Sequence, residues 1–309
     1  MALNKVYKLN TGATIPAIGL GTWQAPAGEV ETAIKTAIAA GYRHIDTAFG
    51  YNNEVEVGKA IREALAENGL ERKDIFVTTK LWPTFFRPEK VAEGFQISYD
   101  RLDIEYIDLI LLHWPVALSP EQGPVGIPRK ADGTRDVETS VTPSITWAAL
   151  EKLYESNKDK LKAIGVSNYS IPIFEDLLKT AKIVPAVNQV ELHPYNPQQK
   201  LLDYCESKGI HVTAYSPLGS TNSTLLGDET ISKIASAHDK TPAQIILSWG
   251  WSRSSILPKS VKIERVKANA DLIELSAQEI QQINELHKTH GKRFITPDWG
   301  VPVFDEDFE

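Results

Sequence analysis

Ala17-Ile-Gly-Leu-Gly-Thr-Trp-Gln24 is the stretch on which the fold turns. It begins as a short apolar run and ends in Gly19 and Gly21, the first two glycines of a dinucleotide-binding Gly-x-Gly-x-x-Gly turn. The third position is Gln24, so the turn that opens a doubly wound sheet is incomplete. The run reads instead as the first of eight similar ones, the others lying at 42–46, 75–80, 106–113, 161–168, 186–189, 210–215 and 255–259. They are too short for helices and too uniformly apolar for half-exposed strands, as strands buried on both faces of a parallel sheet are. Between them lie helical stretches. Residues 30–40 place Val30, Ala33, Ile34, Ala37 and Ile38 on one side, and 53–67 repeat the pattern with Val57, Ala60, Ile61, Ala64 and Leu65. Stretches 88–101, 143–156, 171–180, 197–208 and 242–251 start with or near a proline, which the first helical turn tolerates. A further helix over 276–286 follows the last run, with Ser276 and Glu279 in capping-box spacing. The pattern predicts an α/β fold, a (β/α)8 TIM barrel. A hairpin with a Thr11-Gly12 turn precedes it and would cap its floor. Three long connections, at 115–142, 217–227 and 287–309, are expected at the functional end.

No linker or shift in composition divides the chain, so 1–309 is expected to form one domain. Hydrophobic residues make up 42% and charged residues 24%, as in ordinary globular proteins, and the net charge of −7 argues against general nucleic-acid binding. One cysteine, Cys205, excludes an internal disulfide and every cysteine-rich metal site, so no metal is expected. No apolar run is long enough to span a membrane and the first residues do not read as a secretion signal, which together with the single thiol points to the cytoplasm. The sequons at Asn168 and Asn222 then read as chance matches.

In such a barrel the chemistry lies at the C-terminal strand ends. Here those ends carry Asp46, Lys80, His113, Ser167 with Asn168, Gln189, Tyr215 with Ser216, and Lys259. Strand ends meet water and become polar by default. An acid, a lysine and a histidine ending three successive strands are harder to explain that way.

Nine strings in order along the chain resemble the aldo-keto reductase superfamily: Gly-Leu-Gly-Thr-Trp (19–23), Gly-Tyr-Arg-His-Ile-Asp-Thr-Ala (41–48), Tyr51-x-Asn53-Glu54, Thr79-Lys80-Leu81-Trp82, Leu112-His113-Trp114-Pro115, Gly165-Val-Ser-Asn168, Val187-Asn-Gln-Val-Glu191, Ala214-Tyr-Ser-Pro-Leu-Gly219 and Leu257-Pro-Lys-Ser260. The resemblance implies a catalytic tetrad of Asp46, Tyr51, Lys80 and His113. Each residue alone has an ordinary structural explanation, as a buried ion pair, a packing aromatic or a core histidine. As a tetrad, Tyr51 would give a proton to a carbonyl oxygen, Lys80 would lower the tyrosine pKa, Asp46 would hold Lys80, and His113 would orient the carbonyl. No side chain supplies hydride, so the resemblance further implies a nicotinamide dinucleotide. Ser167, Asn168 and Gln189 would bind its carboxamide and Tyr215 would stack on its ring, near Asp46. Ser216, Leu218 and Ser220 would hold the pyrophosphate, with Gly219 allowing close approach, while Gly21, Thr22 and Trp23 line the other side. Lys259, Ser260 and Arg265, with Val261, form a basic and hydroxylated cluster suited to a 2′-phosphate, so NADP(H) is expected; the same run is also simply rich in charge. Asn269 matches an adenine contact, and Ala268 departs from the acidic residue of many relatives.

The substrate pocket is expected to be aromatic, built from Trp23, Phe49, Tyr51, Trp82, Phe85, Phe86, His113, Trp114 and Trp299. Strings at 128–135, 216–221 and 297–300 are similar to the fungal branch that contains NADP-dependent glycerol dehydrogenases and aldehyde reductases. This implies reduction of glyceraldehyde, dihydroxyacetone and similar carbonyls, with glycerol oxidised in reverse. Pentose (xylose or arabinose) or uronate reduction is the alternative within the family, and a barrel that senses coenzyme without catalysis is the alternative outside it. The expected partners are a small carbonyl or polyol alone, with no nucleic acid or membrane, and the protein is expected to be a monomer.

Overall fold

The computed structural model describes residues 2–221 and 223–304. An antiparallel hairpin of β1 (Val6–Lys8) and β2 (Thr14–Pro16) comes first. Eight parallel strands follow: β3 (Leu20–Gly21), β4 (His44–Asp46), β5 (Phe76–Leu81), β6 (Leu109–Leu112), β7 (Ile164–Ser167), β8 (Val187–Glu191), β9 (His211–Tyr215) and β10 (Ser255–Leu257). The helices among them are α1 (Glu29–Ala39), α2 (Glu54–Asn68), α3 (Val91–Leu102), α4 (Pro143–Ser156), α5 (Ile171–Leu177), α6 (Gln199–Ser207), α7 (Glu229–Ala237) and α8 (Pro242–Arg253). Beyond β10 lie α9 (Ile263–Ala268), α10 (Ala277–Asn284) and α11 (His287–His290).

The strands pair in chain order from β3 to β10, and the opening stretch of sequence closes the ring. Gly19 N–H donates to the Ile256 carbonyl at 2.9 Å, and Ile256 N–H donates to that of Ala17 at 3.0 Å. A Cβ on Gly19 would stand 2.7 Å from Leu257 Cδ2 and 2.8 Å from the His44 ring. Gly19, the first glycine of what resembles a phosphate-binding turn, thus lets the first and last strands approach across a crowded interior.

Each strand keeps its expected place, with ends shifted by a few residues. β8 runs two residues past its expected end, to Glu191, because its ladder with β9 continues to the Glu191–Tyr215 pair, and polar Glu191 is buried there. The hairpin does cap the floor: Leu9 and Ile15 pack on Phe76, Leu109, Leu111 and Val187 inside the barrel. The expected capping box forms at α10, where Ser276 and Glu279 bond reciprocally, and at α4, whose leading Pro143 is the expected start, Thr142 also caps by accepting from Ile145 N–H. Helix α7 is absent from the sequence reading. Asp228 caps it by accepting from Thr230 and Ile231 N–H, and Ile231, Ile234 and Ala235 are its buried face. Of the two sequons, Asn168 is buried and Asn222 lies outside the described residues.

The connection over 115–142 folds back over the mouth. Leu118 N–H donates to the Pro83 carbonyl, Trp82 Nε1–H to the Gly126 carbonyl at 2.8 Å, and Thr84 Oγ1–H to that of Pro124 at 2.9 Å, while Arg87 pairs with Glu138. Trp114, Val116, Leu118, Trp299 and Val303 form a small apolar cluster where it meets the C-terminal segment.

Helices α2 and α3 pack with almost no clearance. A Cβ on Gly58 would sit 1.9 Å from the Leu102 carbonyl oxygen, which is backbone and cannot swing aside. Gly58→Ala is expected to lower the unfolding free energy by about 3 kcal/mol, read by urea denaturation; a loss below about 1 kcal/mol would show that the helices can separate freely.

Candidate active site

Alternation along the strands sends Asp46, Lys80, Ser167, Gln189 and Tyr215 to the interior at the open end of the barrel, and His113 follows directly after β6. Lys80 Nζ donates to Asp46 Oδ1 at 2.6 Å, to the Thr47 carbonyl at 2.9 Å and to the Tyr51 hydroxyl at 3.4 Å. The Lys80 and Asp46 side chains are only 1% and 4% exposed. The Tyr51 and His113 rings meet edge to face with centroids 5.7 Å apart. The four residues therefore converge as expected.

Tyr51 reaches this point because its segment is pinned on several sides. A short turn, Phe49–Tyr51, follows β4 directly. A Cβ on Gly50 would lie 2.6 Å from the Trp82 ring, so only glycine lets this turn lie against the indole. Asn53 Nδ2–H donates to the Thr22 carbonyl at 3.0 Å and its Oδ1 accepts from Thr47 Oγ1–H at 3.1 Å. Buried Glu54 accepts from Thr79 Oγ1–H at 2.6 Å and Ser98 Oγ–H at 3.1 Å. Both residues belong to a quoted string, but hydrophobic spacing assigned them no task.

Burial raises the Asp46 carboxyl and lowers the Lys80 ammonium, and their contact opposes both shifts. For Tyr51 the expected lowering by Lys80 does not prevail. Burial, with the Asp46 charge second, holds the phenol well above its ordinary range. Tyr51 is thus a protonated donor at neutral pH. Burial and then the Lys80 charge push His113 well below the usual imidazole range, so its ring is neutral. His113 Nδ1 is buried without a partner, and the ring lines the cavity. A proton on Nε2 leaves only an acceptor unmet inside and gives the cavity a donor.

Above the tetrad lies a cavity of about 460 Å³. One flank is formed by Gly21, Thr22, Trp23 and Gln24, another by Ser216 to Thr221, and a third by Leu257, Pro258 and Lys259. Ser167, Asn168, Gln189 and Tyr215 lie between them. These polar groups bond one another: Tyr215 O–H donates to Asn168 Oδ1 at 2.8 Å, Asn168 Nδ2–H to the His113 carbonyl at 3.0 Å, and Gln189 Nε2–H to Asp46 Oδ2 at 2.7 Å. Gly219 has φ +76°, and a Cβ there would meet Ser223 Oγ at 2.2 Å. Side-chain-free backbone at that point makes a cradle with hydroxyls on either side. Lys259 is exposed and reaches the Gln24 carbonyl. Ser260, Val261, Arg265 and Asn269 do not line the cavity but continue from its edge along α9, with Arg265 exposed and Asn269 buried.

The aromatic wall differs from expectation in part. Trp23, Tyr51, Trp82, His113, Trp114 and Trp299 line the cavity. Phe49, Phe85 and Phe86 do not; they are core residues, 0–2% exposed, and Phe49 meets Phe85 edge to face at 4.9 Å. The tight turn Pro83–Phe85 sends the phenyl rings inward although they follow Trp82 so closely. The wall also includes Ile127, Ile295 and Pro297, brought in by long connections whose paths leave no periodic signal.

The profile of the aldo/keto reductase family matches residues 17–288. The chain is 44% identical over 304 residues to a glycerol 2-dehydrogenase (NADP(+)) of Saccharomyces cerevisiae, covering 96% of this chain and 95% of that one. It is 43% identical over 301 residues to a D-galacturonate reductase of Hypocrea jecorina, covering 96% of each. The structure of the aldose reductase from Schistosoma japonicum superposes with a TM-score of 0.86 at 38% identity, over 94% of each chain.

The neutrality of His113 has a direct readout. Its ring resonances are expected to stay those of neutral imidazole from about pH 8 to pH 6, where an ordinary histidine titrates; a midpoint in that range would contradict the burial argument.

Proposed function

The chain belongs to the aldo/keto reductase family, and from that premise we propose that it reduces short neutral aldehydes and ketones to alcohols with NADPH, Tyr51 giving the proton. The observation that carries this reading is a protonated phenol 3.4 Å from a buried, carboxylate-held ammonium, at the foot of an aromatic cavity.

The donor set of the mouth fits a nicotinamide dinucleotide. The Ser216–Ser220 stretch with Gly219 would take the pyrophosphate, with Leu218 beside it; Ser167, Asn168 and Gln189 the carboxamide; Tyr215 the ring face; and Gly21, Thr22 and Trp23 the opposite flank. Lys259, Ser260 and Arg265, with Val261, would take the 2′-phosphate, and Asn269 the adenine. Bound there, the coenzyme supplies hydride to the carbonyl carbon. The protein's own work is on the oxygen. His113 Nε2–H and Tyr51 O–H both donate to it and so orient the carbonyl. As negative charge builds, the Tyr51 proton passes to that oxygen, and the phenolate left behind faces Lys80 Nζ. Asp46 keeps Lys80 aimed at it.

Short and uncharged substrates are favoured by the lining itself. Lys259, at the coenzyme end, is the one Lys or Arg among the described residues that line the cavity; the Lys80 ammonium below is held by Asp46, and Arg135 stacks on the Trp299 ring at 4.3 Å. The lining that a uronate carboxylate would face is mostly aromatic, with no Lys or Arg directly in it away from the coenzyme end, which disfavours burying a charge there. Glyceraldehyde, dihydroxyacetone and, in reverse, glycerol are therefore the proposed substrates. A uronate is the second reading, supported by the likeness to a galacturonate reductase. The proposal includes a monomer acting in the cytoplasm, with the only thiol, Cys205, buried.

Tyr51→Phe is expected to cut carbonyl reduction by at least ~100-fold while NADPH still quenches tryptophan fluorescence; near-normal turnover would reject the proton-donor role. In the wild type, reduction needs the protonated phenol, so its rate should hold across neutral and mildly alkaline pH, while alcohol oxidation, which needs the phenolate, should climb with pH. A reduction rate that falls below about pH 8 would assign the proton to another group.

Replacing Lys259 and Arg265 together by Ala is expected to weaken NADPH ~100-fold and NADH less than ~3-fold, measured as dissociation constants, since two charge-assisted contacts to phosphate are lost. Equal losses for the two coenzymes would remove the 2′-phosphate assignment.

A further inference from the structure

Glu191 is a carboxylate removed from solvent that the proton-transfer chemistry does not use. It ends β8, its side chain is 0% exposed, and it accepts three hydrogen bonds. Phe294 N–H and Ile295 N–H donate to its two oxygens, each at 2.7 Å, and His193 Nε2 lies 2.8 Å from Oε1. The bonded amides belong to the C-terminal segment, which then runs across the mouth and contributes Ile295, Pro297 and Trp299 to the cavity. From Phe294 to Phe304, these are the only backbone N–H bonds to the barrel found among the described residues. Packing aligns with the bonds: the Phe294 ring lies 5.1 Å from that of His193, and its edge approaches the Gly219 backbone of the opposite flank.

We propose that Glu191 is a positioning residue that latches residues 294–295 and so fixes the outer substrate wall, setting how large a carbonyl compound the enzyme accepts. The inference rests on the carbonyl-reductase reading. A carboxylate suits the task because it offers lone pairs only. Two adjacent backbone donors converge on it, and any amide in its place turns an N–H toward one of them. A three-carbon aldehyde can be held by Tyr51 and His113 without reaching Ile295 or Trp299. An aromatic aldehyde fills the cavity and needs that wall.

The test compares Glu191→Gln and Glu191→Ala with the wild type on glyceraldehyde and 4-nitrobenzaldehyde, alongside trypsin cleavage of the folded protein at the Arg293–Phe294 bond. In Glu191→Gln, KM for 4-nitrobenzaldehyde should rise ~10-fold, while kcat for both aldehydes and KM for glyceraldehyde stay within ~3-fold. Cleavage at Arg293–Phe294 should quicken ~10-fold as the bonded amide is released. Glu191→Ala should show larger effects in the same direction, because Gln keeps one acceptor; if the Ala variant does not fold, the Gln variant decides alone. Parallel losses on both aldehydes would mark Glu191 as general scaffolding and overturn the proposal. So would an unchanged preference between the aldehydes, whatever the cleavage rate. A wild type inert toward both aldehydes would refute the carbonyl reading instead, and an unchanged cleavage rate would then dispose of the latch as well.

Discussion

An ammonium held 2.6 Å from a carboxylate, with both side chains almost wholly withdrawn from water, is the interaction around which the barrel mouth is organised. Either charge alone at that depth would be destabilising by about 3–5 kcal/mol, so Asp46 and Lys80 are kept only as a pair. The bonds that complete the pair also build the site. The Thr47 carbonyl and the Tyr51 hydroxyl take the remaining Lys80 donors, and Gln189 satisfies the second Asp46 oxygen. A phenol beside this pair is held in the form that can give a proton, and an imidazole beside it stays neutral. The closed ring makes this possible, because only a complete circle of strands aims side chains from β4, β5 and β8 at one point.

The remaining tasks fall to less regular parts of the chain. Asn53 and Glu54, at the start of α2, tie the Tyr51 turn to two neighbouring strands. The connection over 115–142 is tied to Trp82 and Thr84, and the C-terminal segment to Glu191. The buried pair thus rests on strand ends and the phenol on the turn after β4, and the shape of the space above them rests on connections pinned by a few side-chain bonds.

That division explains what could be read without coordinates. Buried parallel strands leave short apolar runs, and amphipathic helices leave a regular spacing, so the barrel, the capping box of α10 and the polar strand ends were legible. The tetrad was legible because its members stand in strings placed by those strands. Helix α7 escaped because it follows the connection over 217–227 so closely that its Asp228 cap reads as more loop. Phe49 and Phe85 read as pocket residues because they adjoin Tyr51 and Trp82, but tight turns bury them against each other. Ile127 and Ile295 reach the cavity along paths set by a few scattered hydrogen bonds, and two of the three partners of the Glu191 carboxylate come from a segment more than 100 positions away. The raised Tyr51 pKa likewise depends on how little water reaches the phenol, a quantity that residue type alone does not carry.

Trp82, Ile127, Ile295 and Trp299 in the cavity lining come from three separate places in the chain and include none of Asp46, Tyr51, Lys80 and His113. Trp82 stands two residues from Lys80, whereas Ile127, Ile295 and Trp299 lie far from the buried pair along the chain. A change of length or side chain confined to the two straps that carry these three would recontour the space above the barrel while leaving the strand-borne ammonium and carboxylate in register.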